Sequence, residues 1–224
     1  MNNLPAASLS NRLFHGDSTE VLQRVPDNTV DLIATDPPYL VNYRDRTGRS
    51  IHNDDPTKAE WLPRAFTEMF RVLKPGSLCL TFYGWNTVEK FQSAWNAAGF
   101  IPVGHIVFQK DYASRHGITK ATHECAYLLS KGRPKSPRKP LPDVLAWGRP
   151  SGNRLHPTQK PVAVFEPIID AYSEPGALIL DPFAGSASAA VAARKLGRQY
   201  LAIELDWQFY QIAWRRLHEA HRSS

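Results

Sequence analysis

The chain has 224 residues, 42% of them hydrophobic, and a formal charge of +6. That length and apolar content fit one soluble domain with a full core. The longest apolar runs are strand-sized, which excludes a helical membrane span, and MNNLPAASLSNRLF lacks the basic-then-apolar pattern of a secretory signal, so a cytoplasmic protein with no membrane partner is expected.

Read in chain order, residues 12–17 form a short strand ending in a turn, and Ser18 to Arg24 one or two helical turns with Ser18 as N-cap. VDLIATDPPY (30–39) is a strand stopped by two prolines, which cannot donate to a sheet ladder. Residues 40–57 are polar and aperiodic and read as a loop. From Thr57 to Leu73 the apolar residues fall at helical spacing, and Lys74-Pro75-Gly76 ends that helix. SLCLTFYG (77–84) is a buried strand, and Asn86 to Ala98 a helix closed by Gly99. Residues 100–110 and 124–132 read as strands.

Residues 131–161 hold seven of the eighteen prolines and read as an extended basic loop. A helix over Val162–Tyr172, a strand and glycine turn over 177–185, a helix over Ala187–Leu196, a strand over 199–206 and a last helix over Trp207–His218 complete the chain. Near-continuous apolar strands separated by helices predict a mostly parallel sheet covered on both faces, with ligands beyond the carboxyl ends of the strands.

Charge is concentrated. Residues 109–160 carry eleven Lys/Arg against three Asp/Glu, more than the net charge of the whole chain. One basic surface of that kind suits a polyanion. Cys79 and Cys125 sit in apolar runs and read as buried reduced thiols. Neither they nor scattered histidines such as His116 and His123 have metal-ligand spacing, so no metal is expected.

Four motifs carry chemistry. Asp36-Pro37-Pro38-Tyr39 closes a strand. An exocyclic amine on a nucleobase is a poor nucleophile because its lone pair is delocalised into the ring. A carboxylate can accept one N–H, a rigid proline carbonyl the other, and a neighbouring ring can stack on the base. Asp181-Pro182-Phe183-Ala184-Gly185-Ser186 is a strand-to-helix turn whose glycine lets backbone approach a ligand. Glu204 ends the next strand, where an acid can bond ribose hydroxyls, with Asp206 a competing candidate; Asp17 ends the first strand and can take an adenine amino group or cap a helix. In His156-Pro157-Thr158-Gln159-Lys160-Pro161, Thr158 and Lys160 suit an amino-acid carboxylate.

Together these residues resemble the amino-methyltransferases of DNA, which modify adenine N6 or cytosine N4, in the motif order of their permuted beta group. The likeness runs from about residue 12 to 217. It implies a Rossmann-like α/β fold, a seven-stranded, mostly parallel sheet with one antiparallel strand, and S-adenosylmethionine as methyl donor. It also implies one methyltransferase domain over 1–224, with a basic target-recognition loop at about 111–155.

Carried onto this chain, Asp36, Pro37, Pro38 and Tyr39 bind the target amine and base. Asp181, Phe183, Ala184, Gly185 and Ser186 line the cofactor pocket, with Asp36 at its edge. Glu204 holds the ribose, Asp17 the adenine ring, and Thr158 and Lys160 the methionine end. Lys131, Arg133, Lys135, Arg138 and Lys139 are expected to contact DNA phosphates.

The family usually has a second glycine where Ala187 stands, which is tolerable if φ there is negative. The expected activity is base flipping and direct transfer to adenine N6, with cytosine N4 the alternative. An RNA or protein methyltransferase fits less well, because those more often show Asn at the place of Asp36. An inactive DNA-binding module conflicts with intact Asp36, Tyr39 and Gly185. The sequence leaves the oligomeric state open, a homodimer included.

Overall fold

The computed structural model describes residues 5, 8–44, 48, 50–116, 118–134, 136–137, 140–148 and 159–219. Strands β1 (Arg12–His15), β2 (Val30–Thr35), β3 (Leu73–Phe82), β4 (Ile101–His116), β5 (Thr119–Ser130), β6 (Val144–Ala146), β7 (Leu178–Asp181) and β8 (Gln199–Glu204) form one sheet. Its order is β1-β8-β7-β2-β3-β5-β4-β6. Only β5 runs against its neighbours, β3 and β4; every other pairing is parallel. The architecture is therefore the expected mostly parallel α/β sheet with one antiparallel strand. Its eighth strand, β6, is a three-residue edge inside the stretch read as loop.

Helices cover both faces, as a mostly parallel sheet requires. α1 (Ser18–Leu22), α2 (Trp61–Val72) and α3 (Val88–Ala98) pack on one face around Phe66, Phe91 and Trp95. α4 (Val162–Tyr172) and α5 (Ser188–Lys195) cover the other around Phe165 and Ile168, and α6 (Trp207–Glu219) adds Ala213 and Leu217 to that core. β2 shows the reason: Leu32 and Ala34 point into one core and Ile33 into the other, the period-2 alternation of a strand buried on both sides.

Several local expectations are corrected. The N-cap of α1 is Asp17, not Ser18: its Oδ1 accepts from the Thr19 amide at 2.7 Å. α2 starts at Trp61 because Asp55 turns the chain first, accepting from the Thr57 amide at 2.9 Å. The 73–76 segment does not separate helix from strand; β3 begins at Leu73 directly after α2. Residues 111–116 and 119–123, expected in the recognition loop, continue β4 and β5 as a long hairpin. Cys79 is buried, but Cys125 is only half-buried. No helix among the described residues is long and apolar enough to cross a membrane.

Candidate active site

The carboxyl ends of β1, β2, β7 and β8 open into one cavity of about 300 Å³, at the lower end of the roughly 300–1,000 Å³ usual for small-molecule sites. It is lined by Asp17, by Asp36 to Tyr39, by Asp181 to Ser186, by Glu204 and by Lys160. Residues spread over most of the chain thus meet at the place where parallel strands end and helices begin.

On one side lies the glycine turn. The Glu204 carboxylate clamps it, with Oε2 accepting from the Gly185 amide at 2.7 Å and Oε1 from the Asp206 amide at 2.8 Å. Burial pushes the Glu204 carboxyl up to about 7, against those two hydrogen bonds. Asp181 is also buried and pushed up to about 7. Its Oδ1 accepts from Thr35 Oγ1 at 2.8 Å and from the Phe183 amide at 3.2 Å. Asp181 therefore ties this turn to the end of β2, one residue before Asp36.

Gly185 has φ 52° and Ala187 φ 62°. The condition of a negative φ at Ala187 is not met: a buried alanine holds the left-handed conformation that glycine adopts freely, at a cost of roughly 1–2 kcal/mol. Arg216 of α6 braces the turn, donating to Ser186 Oγ at 3.0 Å. Phe183 meets Trp61 edge-on at 5.3 Å.

On the other side lies a compact ionic cluster around the prolines. Tyr39 donates its hydroxyl to Asp36 Oδ1 at 2.8 Å. Lys160 Nζ reaches Asp36 Oδ2 at 2.7 Å, the Tyr39 hydroxyl at 2.9 Å and Glu124 Oε2 at 3.1 Å. Lys110 Nζ pairs with Glu124 Oε1 at 2.7 Å and lies 5.0 Å from the Trp147 ring centre. Two carboxylates thus face two ammonium groups, the arrangement that burial of charge demands.

Titration follows from this geometry. Burial raises Asp36, with Lys160 opposing. Burial would lower Lys160, but Asp36 and Glu124 hold it above the usual lysine value. Burial would raise Glu124, yet Lys160 and Lys110 bring it below the usual carboxylate range. The Tyr39 hydroxyl is held far up by burial and by both carboxylates, so it stays protonated.

Backbone packing fixes the loop that carries Tyr39. Its carbonyl accepts from Thr87 Oγ1 at 2.7 Å, and a Cβ built on Gly84 would lie 2.7 Å from that same oxygen, so only glycine fits there. Buried Asp54 accepts from the amides of Val41 at 3.2 Å and Tyr43 at 2.6 Å, folding the polar loop back over the cavity. The His52–Asp206 pair, 3.2 Å apart, links that loop to the rim beyond β8.

Several sequence expectations change in position. The Lys160 ammonium is turned to Asp36, Tyr39 and Glu124 rather than standing free for a methionine carboxylate, because the two half-buried acids are the charged partners nearest to it. Thr158, Lys135, Arg138 and Lys139 lie outside the described residues.

Lys131, expected to contact phosphate, has its ammonium engaged within the protein. Its ammonium donates to the Phe70, Arg71 and Leu73 carbonyls at 2.8, 3.2 and 2.8 Å and to Asn28 Oδ1 at 2.8 Å. Lys131 itself bonds Ser77 and Gly76 toward the start of β3, whereas Ala126 pairs with Phe82 at the cavity end. Lys131 and the exposed Arg133 thus sit at the end of the sheet opposite the cavity. Sequence reading missed Glu124, Lys110, Gly84, Thr87 and Asp54. The charge of Glu124 inside an apolar strand was the available signal.

A doubly wound sheet whose strand ends join a clamped glycine turn to an acid–aromatic pocket defines the class: a Rossmann-like α/β methyltransferase. The chain belongs to the N6/N4 DNA methylase family, whose model matches residues 30–215. It is 51% identical over 212 residues to YubD of Escherichia coli (strain K12), covering 95% of this chain and 92% of that protein. It is 27% identical over 252 residues to the type II methyltransferase M.BglII of Bacillus subtilis, covering 92% of this chain and 69% of that protein. Among solved structures, the M1.HpyAVI–SAM complex superposes with a TM-score of 0.72 at 25% identity, covering 92% of this chain and 98% of that one.

Proposed function

We propose that this protein transfers a methyl group from S-adenosylmethionine to N6 of an adenine flipped out of DNA. The observation that carries the reading is the single cavity in which Asp36, Pro37 and Tyr39 face the glycine turn and Glu204. An amine held at Asp36 is thereby next to the space a nucleoside cofactor would fill. The SAM complex of M1.HpyAVI supports the choice of cofactor, and membership of a DNA methylase family supports the choice of substrate.

The cofactor supplies a methyl group on a positively charged sulfur. Everything else falls to the chain. Glu204 and Asp17 take the ribose and adenine ends, the turn at Asp181 to Ser186 walls the middle, and Thr158 belongs to the methionine end. Asp36 accepts one N–H of the target amine and the Pro37 carbonyl the other, which turns the lone pair away from the ring. Tyr39 stacks on the flipped base. Positioning and fixed charge supply most of the acceleration.

Adenine is preferred to cytosine because, in the family this chain resembles, Asp at the start of the tetrapeptide is commoner in adenine enzymes and Ser in cytosine enzymes, and because adenine offers the larger face to Tyr39. Mass spectrometry of nucleosides from DNA methylated by the purified protein tests this. N6-methyladenine is the expected product. N4-methylcytosine alone would move the target to cytosine, and a methylated RNA or protein with unmodified DNA would move the enzyme to another substrate class.

A further inference from the structure

The Tyr39 hydroxyl occupies an unusual place. It donates to Asp36 Oδ1 at 2.8 Å and accepts from Lys160 Nζ at 2.9 Å. One oxygen therefore satisfies a carboxylate that needs a donor and an ammonium that needs an acceptor, side by side. If the ring swings out to stack on a flipped base, both partners are exposed together. Thr87 pins the Tyr39 carbonyl, so such a swing would turn the side chain about a fixed backbone.

An acceptor beside a donor is the complement of an amidine edge. Adenine presents N6–H next to N1, and cytosine presents N4–H next to N3. Guanine and thymine present a carbonyl next to a ring N–H, which would set acceptor against Asp36 and donor against Lys160. We propose that the Tyr39 hydroxyl is a placeholder for the edge of the target base, and that Lys160 donates to the ring nitrogen adjacent to the amine being methylated. Asp36 and Lys160 would then read the base as a pair. This rests on the nucleobase reading above and assigns Lys160 to the base rather than to the cofactor.

Charge balance favours that assignment. Asp36 and Glu124 are matched by Lys160 and Lys110 in a site where Lys110 and Lys160 are almost fully buried. Exchanging a tyrosine hydroxyl for an amidine edge leaves the balance untouched. Exchanging it for a methionine carboxylate would bring a third negative charge into the cluster. Glu124 Oε2, 3.1 Å from Nζ, keeps the ammonium in place while its other partner changes.

The experiment uses the full chain and a duplex containing its methylation site, with the target adenine replaced by 1-deazaadenine or by 7-deazaadenine. Both keep the exocyclic amine; only the first lacks N1. Single-turnover methyl transfer should fall about 10- to 100-fold for 1-deazaadenine, the scale of one hydrogen bond to a charged group, and only a few-fold for 7-deazaadenine. Loss of N1 makes the amine more electron-rich, so such a fall is not intrinsic reactivity.

In Lys160→Met the difference between the two analogues should vanish. Equal rates for both analogues in the wild type would overturn the inference, as would an undiminished difference in Lys160→Met. Should that variant fail to fold, the wild-type comparison decides alone. Absence of transfer to the unmodified duplex would instead overturn the DNA reading itself. If the product is N4-methylcytosine, 3-deazacytosine takes the place of 1-deazaadenine with the same expected loss.

Discussion

Asp36, half-buried, and Glu204, buried, are carboxylates at strand ends, yet they answer to different partners and should fail differently. Asp36 pairs with Tyr39 and Lys160. Asp36→Ala should abolish methyl transfer while leaving S-adenosylmethionine affinity within about threefold, a loss below roughly 1 kcal/mol. Glu204 instead clamps Gly185 and Asp206. Glu204→Ala should weaken the cofactor by about 1–3 kcal/mol, the scale of charge-assisted hydrogen bonds. Isothermal calorimetry on both variants checks the pair; equal cofactor losses would mean that the two halves of the cavity are not separable. That both acids line the cavity was legible from their positions at strand ends. The left-handed Ala187 was not, because φ is set by the turn as a whole and no residue type announces it.

At the scale of elements, helix ends and strand direction correct what charge counting suggested. Lys131 lies next to a run of basic residues, but β5 has carried the chain away from the cavity before it arrives. Its ammonium caps the carbonyls that α2 leaves free, where a cation is favoured by the helix dipole. Lys131→Ala should therefore lower stability by about 1–2 kcal/mol in urea unfolding and leave the salt dependence of DNA binding unchanged.

The β4–β5 hairpin runs the other way. Lys110, Tyr112 and Glu124 line the cavity, and beyond them the strands continue to a tip where Ile118 is fully exposed. Lys120, exposed on that hairpin, is the residue we predict to contact phosphate. Lys120→Ala should flatten log K against log salt by about 0.9. A flatter slope in Lys131→Ala and not in Lys120→Ala would reverse this assignment. The strands themselves were legible because apolar runs mark burial on both faces. The hairpin extension was not: residues 111–123 are polar, and their pairing comes from the partner strand rather than from their own pattern.

The molecule as a whole is assembled around acids that folding takes out of water, and that has a consequence for its stability against pH. Asp181 moves from an ordinary 3.8 to about 7 and Glu204 from 4.5 to about 7. In both cases burial is the main cause, and both hold the glycine turn, Asp181 through Phe183 and Glu204 through Gly185. Between its ordinary value and 7 the folded state holds each proton more tightly than the unfolded chain does. Stability from these groups is therefore fully present below about pH 4 and is lost as pH rises through 7. Each group contributes a slope of at most about 1.4 kcal/mol per pH unit over that window.

Glu124 has the opposite sign, because its lowered carboxyl favours the folded state above its ordinary value and loses that contribution only in acid. The cofactor-free protein should accordingly melt at a higher temperature at pH 6 than at pH 8. Asp181→Asn, which keeps the shape and an acceptor for Thr35 and the Phe183 amide, should reduce that difference by a large part. Scanning calorimetry at the two pH values decides it. A melting temperature that rises from pH 6 to 8, or a difference unchanged in Asp181→Asn, would show that these carboxyls are ionised in the folded protein and that water reaches the strand ends.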